Sequence, residues 1–375
     1  MSDEPFPVSV TEVVLPFRCV DAGRRPGPVM AEQFDRAWPS YRRWFLHEGE
    51  LPRASYAESR AALRRWMPEL LADYDDLVAA VGGDDLKARF LSHWCPPALV
   101  AACSIAMLGS PHPLLVRNYD YPAVLSDTLA LRTHWSGRTI LGMADCGWGL
   151  MDGMNDAGLA VSIAFGGRRA VGRGFGIGLV VRYLLHMAAT TDHAAQLLAG
   201  LPVHMSYNVA IVDAAGDRRI VHVAPDRPAR QEWHWATCNR QGDTEWPAHA
   251  EYSRTVERED ALAVLALDPG LNEAELLAAF LRPPLHRSLT ESTWGTIYTA
   301  AYRPSHGTLA LLWPGDEWTL EVSGDAESEH PREELALVPD AVTVRTEVPR
   351  PAGLAVLRCS RAPAFACRAG HPRLG

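Results

Sequence analysis

Residues 101–122 read AACSIAMLGSPHPLLVRNYDYP. A cysteine among small residues opens an apolar run, a Gly-Ser-Pro turn interrupts it, and a second apolar run closes on Arg117, Asn118 and Asp120. The pattern predicts two short strands joined by a turn, with a cation and a carboxylate returned toward Cys103. Two readings fit. Buried cysteine is commonly an inert small hydrophobe, and RNYDY would then be the polar end of a strand. Alternatively, the thiol is a nucleophile and Arg117 is the nearby cation that favours its thiolate.

The rest of the chain narrows the class. Its 375 residues are 47% hydrophobic and 22% charged, an ordinary globular composition with room for a large core or two domains. A net charge of −9 counts against nucleic acid or an anionic membrane as partner, since both select basic faces. The start, MSDEPFPVSV, has neither a basic segment nor an apolar stretch, and no apolar run approaches a membrane span. The cytoplasm is the expected location. Seven scattered cysteines without a CxxC pair predict neither a disulfide framework nor a zinc site.

Texture changes twice along the chain. Residues from about 30 to 92 carry apolar positions at helical spacing. From Ala101 to about Trp318, short β-rich runs alternate with helix pairs, which predicts antiparallel sheets covered by helices rather than a regular βαβ winding. Beyond about Gly324 the chain turns Pro-, Glu- and Arg-rich with little periodicity, and a mobile or loosely attached tail is expected. GRGFGIG (172–178) has the wrong glycine spacing for a dinucleotide loop and reads as a strand-to-helix turn. No histidine pair has metal-ligand spacing, and isolated ones such as His204 and His222 read as satisfied polar groups. His93 and His112 lie near Cys103 in sequence, but no local signature marks a Cys–His dyad.

Five elements recur in order: Cys103; Arg117-Asn118-Tyr119-Asp120; GMNDAGL (153–159); ATCNRQ with Asn239; and EYSRTVERE with Arg254. With the closing GTIYTAAYRPSHGTLALLWPG, this series resembles the choloylglycine hydrolase and penicillin acyltransferase group of N-terminal-nucleophile (Ntn) hydrolases, to which acid ceramidase is related. The likeness spans roughly residues 95–318. Three departures stand out: Ala102 where acyltransferases usually have Gly, Ala164-Phe165 where some relatives carry a side-chain amide, and an additional residue in ATCNRQ.

The resemblance implies an α+β fold, a four-layer αββα sandwich of two antiparallel sheets. It implies a thiol-dependent hydrolase or acyltransferase acting on a linear, non-peptide amide or an acyl thioester through an acyl-cysteine. Cys103, Arg117, Asp120, Asn239 and Arg254 are the implied catalytic residues. Arg258, one helical turn on, competes with Arg254 because positions i and i+4 share a face. No metal or organic cofactor is implied. The Ala102–Cys103 bond would break so that the free α-amine of Cys103 serves as base. Residues 1–102 would then be a helical pro-segment or retained subdomain associated with catalytic residues 103–324, followed by tail 325–375. Two other classes compete: a binding module on the same fold with Cys103 purely structural, and an oxidoreductase using the glycine-rich turn.

Overall fold

The computed structural model describes residues 10–15, 17–289, 294–323, 333–334 and 342–347. Strands β1 (Val10–Leu15) and β2 (Arg18–Asp21) precede four helices: α1 (Pro28–Phe45), α2 (Tyr56–Trp66), α3 (Leu71–Ala80) and α4 (Asp85–Leu91). The opening stretch is a hairpin of β3 (Ala102–Leu108) and β4 (Leu114–Pro122). It leads into β5 (Leu129–Thr133), β6 (Ile140–Asp145), β7 (Gly149–Asn155) and β8 (Leu159–Phe165). Helices α5 (Ile177–Met187) and α6 (Thr191–Gly200) separate these from β9 (Tyr207–Asp213), β10 (Arg218–Ala224), β11 (Arg227–Glu232) and β12 (Ala236–Thr237). Next come α7 (Pro247–Tyr252), α8 (Thr255–Leu265) and α9 (Glu273–Phe280). The chain continues through β13 (Trp294–Arg303), β14 (Thr308–Trp313) and β15 (Asp316–Glu321) to two outlying strands, β16 (Glu333–Glu334) and β17 (Val342–Glu347).

The strands form a nine-stranded sheet, β11-β10-β9-β8-β7-β6-β5-β2-β16, and a six-stranded one, β12-β3-β4-β13-β14-β15. β1 pairs separately with β17. Pairing is antiparallel throughout these sheets except between β2 and β5. The sheets face each other through β3 and β4 against β8 and β9. Helices α5 and α6 cover the outer face of the larger sheet, α8 and α9 that of the smaller, which completes four layers of an α+β sandwich.

Strand periodicity explains the layering. On β3 and β4, Cys103, Ile105, Leu115 and Tyr119 join the core between the sheets. Their alternates Ala106, Leu114 and Val116 pack with Leu262, Leu276 and Phe280 of the outer helices. A shift of one register would exchange the two sets, so a hairpin apolar on both faces must be covered on both.

The amino-terminal segment is helical between 28 and 91, but it also donates β2 to the larger sheet. Phe17 packs edge-on against Trp313 (ring centroids 4.7 Å apart) and Tyr298 (6.3 Å). Most of the expected 325–375 tail lies outside the described residues; within it, β16 and β17 pair with β2 and β1. Among the described residues no helix is long and apolar enough to cross a membrane. The GRGFGIG turn is a strap. The Gly174 carbonyl accepts from the Cys95 backbone, and the Gly176 N–H donates to the His93 carbonyl. A side chain at Gly174 would run into the Val203 backbone.

Candidate active site

Cys103 sits at the start of β3, fully buried, with Ala102 paired to Asp120 and Cys103 to Tyr119 across the hairpin. Arg117 Nη2 lies 3.2 Å from Cys103 Sγ. The hairpin therefore delivers the cation to the thiol, as the spacing suggested. Burial nevertheless pushes the thiol above its usual pKa; the nearby Arg117 charge opposes this and Asp120 adds to it. In the intact chain the thiol is the resting form near neutrality.

Asp120 does not pair with Arg117. Three residues apart on one strand, they leave on opposite faces. Arg117 points between the sheets, where its Nη1 pairs with Asp152 on β7 and approaches the Tyr298 hydroxyl at 3.2 Å. Tyr298 and Tyr302 donate to the two Asp152 oxygens at 2.9 and 2.5 Å. Burial works against the Arg117 cation, but Cys103, Tyr298 and Asp152 outweigh it and hold its pKa well above the ordinary value. Asp120 points toward α8. Its Oδ1 accepts from the Thr296 hydroxyl at 2.7 Å and its Oδ2 lies 3.6 Å from Arg258 Nη1. Burial raises the Asp120 carboxyl above its usual range, with Arg258 and Thr296 opposing.

Arg258, not Arg254, occupies the cluster. The sheet-facing residues of α8 are Thr255, Arg258 and Leu262, spaced by three and four. Arg258 Nη1 donates to Ser104 Oγ at 2.9 Å and Nη2 to Asn239 Oδ1 at 2.7 Å. Arg254 instead forms the N-cap of α8 with φ of +53° and carries its guanidinium outward to Glu257. A helix starting one residue after the Ser-Arg pair turns the first arginine to solvent and the second inward.

Asn239 reaches the cluster from the loop after β12. Its Oδ1 accepts from the Cys103 backbone N–H at 3.0 Å, and its Nδ2 donates to the Phe165 carbonyl at 2.9 Å. The additional residue in ATCNRQ has not carried Asn239 away. Of the five residues named from sequence, four converge and Arg254 does not. Asp152, Tyr298, Tyr302, Ser104 and Thr296 were missed. Asp152 left one signal, a lone acid in the apolar strand GLMDGMN. The GMNDAGL turn is structural: Asn155 Nδ2 donates to the Leu185 and Ala188 carbonyls at 2.8 and 2.7 Å, and Asp156 ties down Arg138 and the Thr139 N–H.

The acyl-coenzyme A:6-aminopenicillanic acid acyl-transferase family matches residues 108–318, more than half of the chain, which therefore belongs to that family. The match takes in Arg117, Asp120, Asp152, Asn239 and Arg258 and begins five residues past Cys103. No curated protein sequence matches. Among solved structures, a variant of the conjugated bile acid hydrolase from Clostridium perfringens is 10% identical (TM-score 0.45), covering 62% of this chain and 96% of its own. The penicillin V acylase from Agrobacterium tumefaciens is 14% identical (TM-score 0.41; 61% and 89%). The Caenorhabditis elegans ortholog of N-acylethanolamine-hydrolyzing acid amidase is 13% identical (TM-score 0.37; 54% and 93%).

Proposed function

We propose that the protein is a cysteine Ntn-type hydrolase or N-acyltransferase that acts on a linear amide or acyl thioester through an acyl-Cys103 intermediate. The observation that carries this reading is the guanidinium of Arg117 at 3.2 Å from a buried thiol, beside an Asn239–Arg258 pair on the amide of the preceding bond. A binding module would have no use for a buried guanidinium held against one sulfur.

The reaction has two phases. In maturation, Cys103 Sγ attacks the Ala102 carbonyl; the C–N bond breaks as the S–C bond forms, and the departing amine of Cys103 takes the proton. Water then hydrolyses the thioester, leaving an Ala102 carboxylate and a free Cys103 thiol and amine. That α-amine, with an ordinary pKa of about 7.7–8.0, is a base matched to neutral pH. In turnover it takes the thiol proton, the thiolate attacks the substrate acyl carbon, and the proton passes to the leaving amine or thiol. Water or an amine then takes the acyl group and restores the thiol. Arg117 stabilises the thiolate, while Arg258 and Asn239 bind the amine side of the reacting centre.

The test pairs intact mass with a variant. Active protein is expected as two associated fragments, 1–102 and 103–375, acylated on Cys103 by activated acyl donors. Cys103→Ala is expected to fold, stay uncleaved and lose turnover. Full activity from a folded Cys103→Ala protein would refute the thiol mechanism, and full activity from an uncleaved wild type would refute the amine base.

A further inference from the structure

Cys103, Tyr119 and Tyr298 stand in one row across three neighbouring strands. Cys103 on β3 pairs with Tyr119 on β4, and Tyr119 pairs with Tyr298 on β13. Arg117 lies two residues before Tyr119 and leaves β4 on the same face. The row therefore sets a tyrosine ring against the guanidinium, whose Cζ sits 4.4 Å from the ring centre. Hydrogen bonds secure that guanidinium incompletely: Nη1 donates to Asp152 and Tyr298, while Nε finds no acceptor among the described residues. The ring supports the plane that these bonds leave free to tilt. A cation is drawn to an aromatic face most strongly where both are out of water, and Arg117 and Tyr119 are 0% and 2% exposed.

The ring is itself pinned. It stacks on Tyr121 with centroids 5.3 Å apart and tilts against Tyr298 at 5.5 Å. Its hydroxyl donates to Asp145 Oδ2 at 3.3 Å. Burial, with Asp145 beside it, keeps the phenol well above its ordinary pKa, so it stays a donor. Asp145 Oδ1 in turn lies 2.9 Å from the hydroxyl of Tyr41 on α1, which accepts from the Cys146 backbone N–H at 2.7 Å. Tyr41 also meets Asp127, and one phenolic proton cannot serve two carboxylates, so the acid pair carries a proton of its own. A continuous series of contacts thus runs from the amino-terminal segment to the nucleophile: Tyr41, Asp145, Tyr119, Arg117, Cys103.

We propose, resting on the thiol reading above, that Tyr119 is a positioning residue for the reaction. Its ring holds the Arg117 guanidinium against the Cys103 sulfur, and Tyr41 holds the ring through Asp145. The amino-terminal segment is thereby part of the apparatus that readies the thiol.

The test follows acylation of Cys103 by p-nitrophenyl acetate, read by intact mass, across about pH 5 to 9, the range in which an amine–thiol pair titrates. Tyr119→Leu frees the guanidinium, and the midpoint of the profile is expected to rise by about one pH unit, roughly tenfold slower acylation on the acid side. The other titratable or charged groups that act on the sulfur, Tyr207, Tyr298, Asp120 and Arg258, are left in place. Damage that is only structural lowers the melting temperature or the plateau and leaves the midpoint where it was; that outcome overturns the proposal. Tyr119→Phe keeps the ring but unties it from Asp145, and Tyr41→Phe releases Asp145 from the other side. Each is expected to slow acylation on the acid side about threefold, and the double variant by about the same factor, since both break one series of contacts. Additive losses, or a Tyr41→Phe protein that acylates like wild type, overturn the proposal. These two variants keep the packing and decide the matter where Tyr119→Leu does not fold. An unmoved midpoint in protein that acylates removes the proposal alone, whereas a folded Cys103→Ala protein with full turnover removes the thiol reading with it.

Discussion

The carboxamide oxygen of Asn239 accepts the backbone N–H of Cys103 at 3.0 Å, so in the intact chain the oxygen of the amide, not its nitrogen, meets the bond ahead of the nucleophile. The orientation is fixed on both sides. The Phe165 carbonyl can only accept, so it takes Nδ2; Arg258 can only donate, so it takes Oδ1. The intact chain thus places Asn239 on the backbone nitrogen that would leave if the Ala102–Cys103 bond broke. Asn239→Ala is expected to slow cleavage at Ala102 roughly ten- to hundredfold, since it strips a buried N–H and a buried guanidinium of their acceptor. The appearance of the two fragments over time measures it.

Arg254 and Arg258 provide a direct contrast. Arg258→Ala leaves Asp120 as a buried charge without its nearest cation, a change that typically costs about 3–5 kcal/mol. It is expected to lower both melting temperature and turnover, the latter by a hundredfold or more. Arg254→Ala removes an exposed bridge to Glu257, worth about 0.5 kcal/mol at most, and activity is expected within twofold of wild type. Kinetics and thermal melts of the two variants side by side decide it.

Asp152 is the counter-charge of Arg117 and touches no reacting atom. Asp152→Ala orphans a buried guanidinium and two tyrosine hydroxyls, so destabilisation of about 3–5 kcal/mol is expected by chemical denaturation. Asp152→Asn keeps the hydrogen bonds to a large extent and is expected to fall between wild type and alanine. An alanine variant as stable as wild type would show that Asp152 does not anchor Arg117.

A second acidic pair ties α1 to the larger sheet. Tyr41 Oη donates to Asp127 and lies 2.9 Å from Asp145, which also accepts from the Cys146 N–H at 2.7 Å and from Tyr119 at 3.3 Å. Burial, with Asp145 adding to it and Tyr41 and Arg18 opposing, raises Asp127 to about 8. A carboxyl raised in the fold keeps its proton where the unfolded chain has lost it. Its stabilising contribution is full below about pH 4 and fades as pH rises toward 8. Asp127→Asn is expected to flatten the fall in melting temperature between pH 5 and 8. A variant with the wild-type slope would remove Asp127 from that dependence.

The layers of the fold were legible in the sequence because they rest on periodicity. The β3–β4 hairpin, the α5–α6 pair and the closing β13–β14 hairpin all follow from runs of period two or 3.6 bounded by Gly and Pro. Cys103 and Arg117 were legible because a short hairpin and a conspicuous polar strand end announce them, whereas Asn239 came only from the family resemblance. What stayed hidden depends on direction. That Asp152 of β7, and not Asp120, answers Arg117 is decided by the opposite faces of β4 that Arg117 and Asp120 leave. Arg258 takes the place of Arg254 because α8 starts at Thr255 and not one turn earlier. Strand β2 lay hidden as well, since four residues carry almost no periodic signal.

That short strand makes the two parts of the chain hard to obtain separately. β2 caps β5, and Phe17 closes over Trp313 and Tyr298, the latter hydrogen-bonded to Asp152. A polypeptide made from Cys103 onward would be born with a bare strand edge and an uncovered aromatic floor beneath its own nucleophile, the combination that drives chains to pair with one another. The first hundred residues are thus expected to act as an in-built chaperone that stays bound. Co-expression of the halves from separate start codons is expected to restore soluble protein, whereas the carboxy-terminal half alone is expected in inclusion bodies.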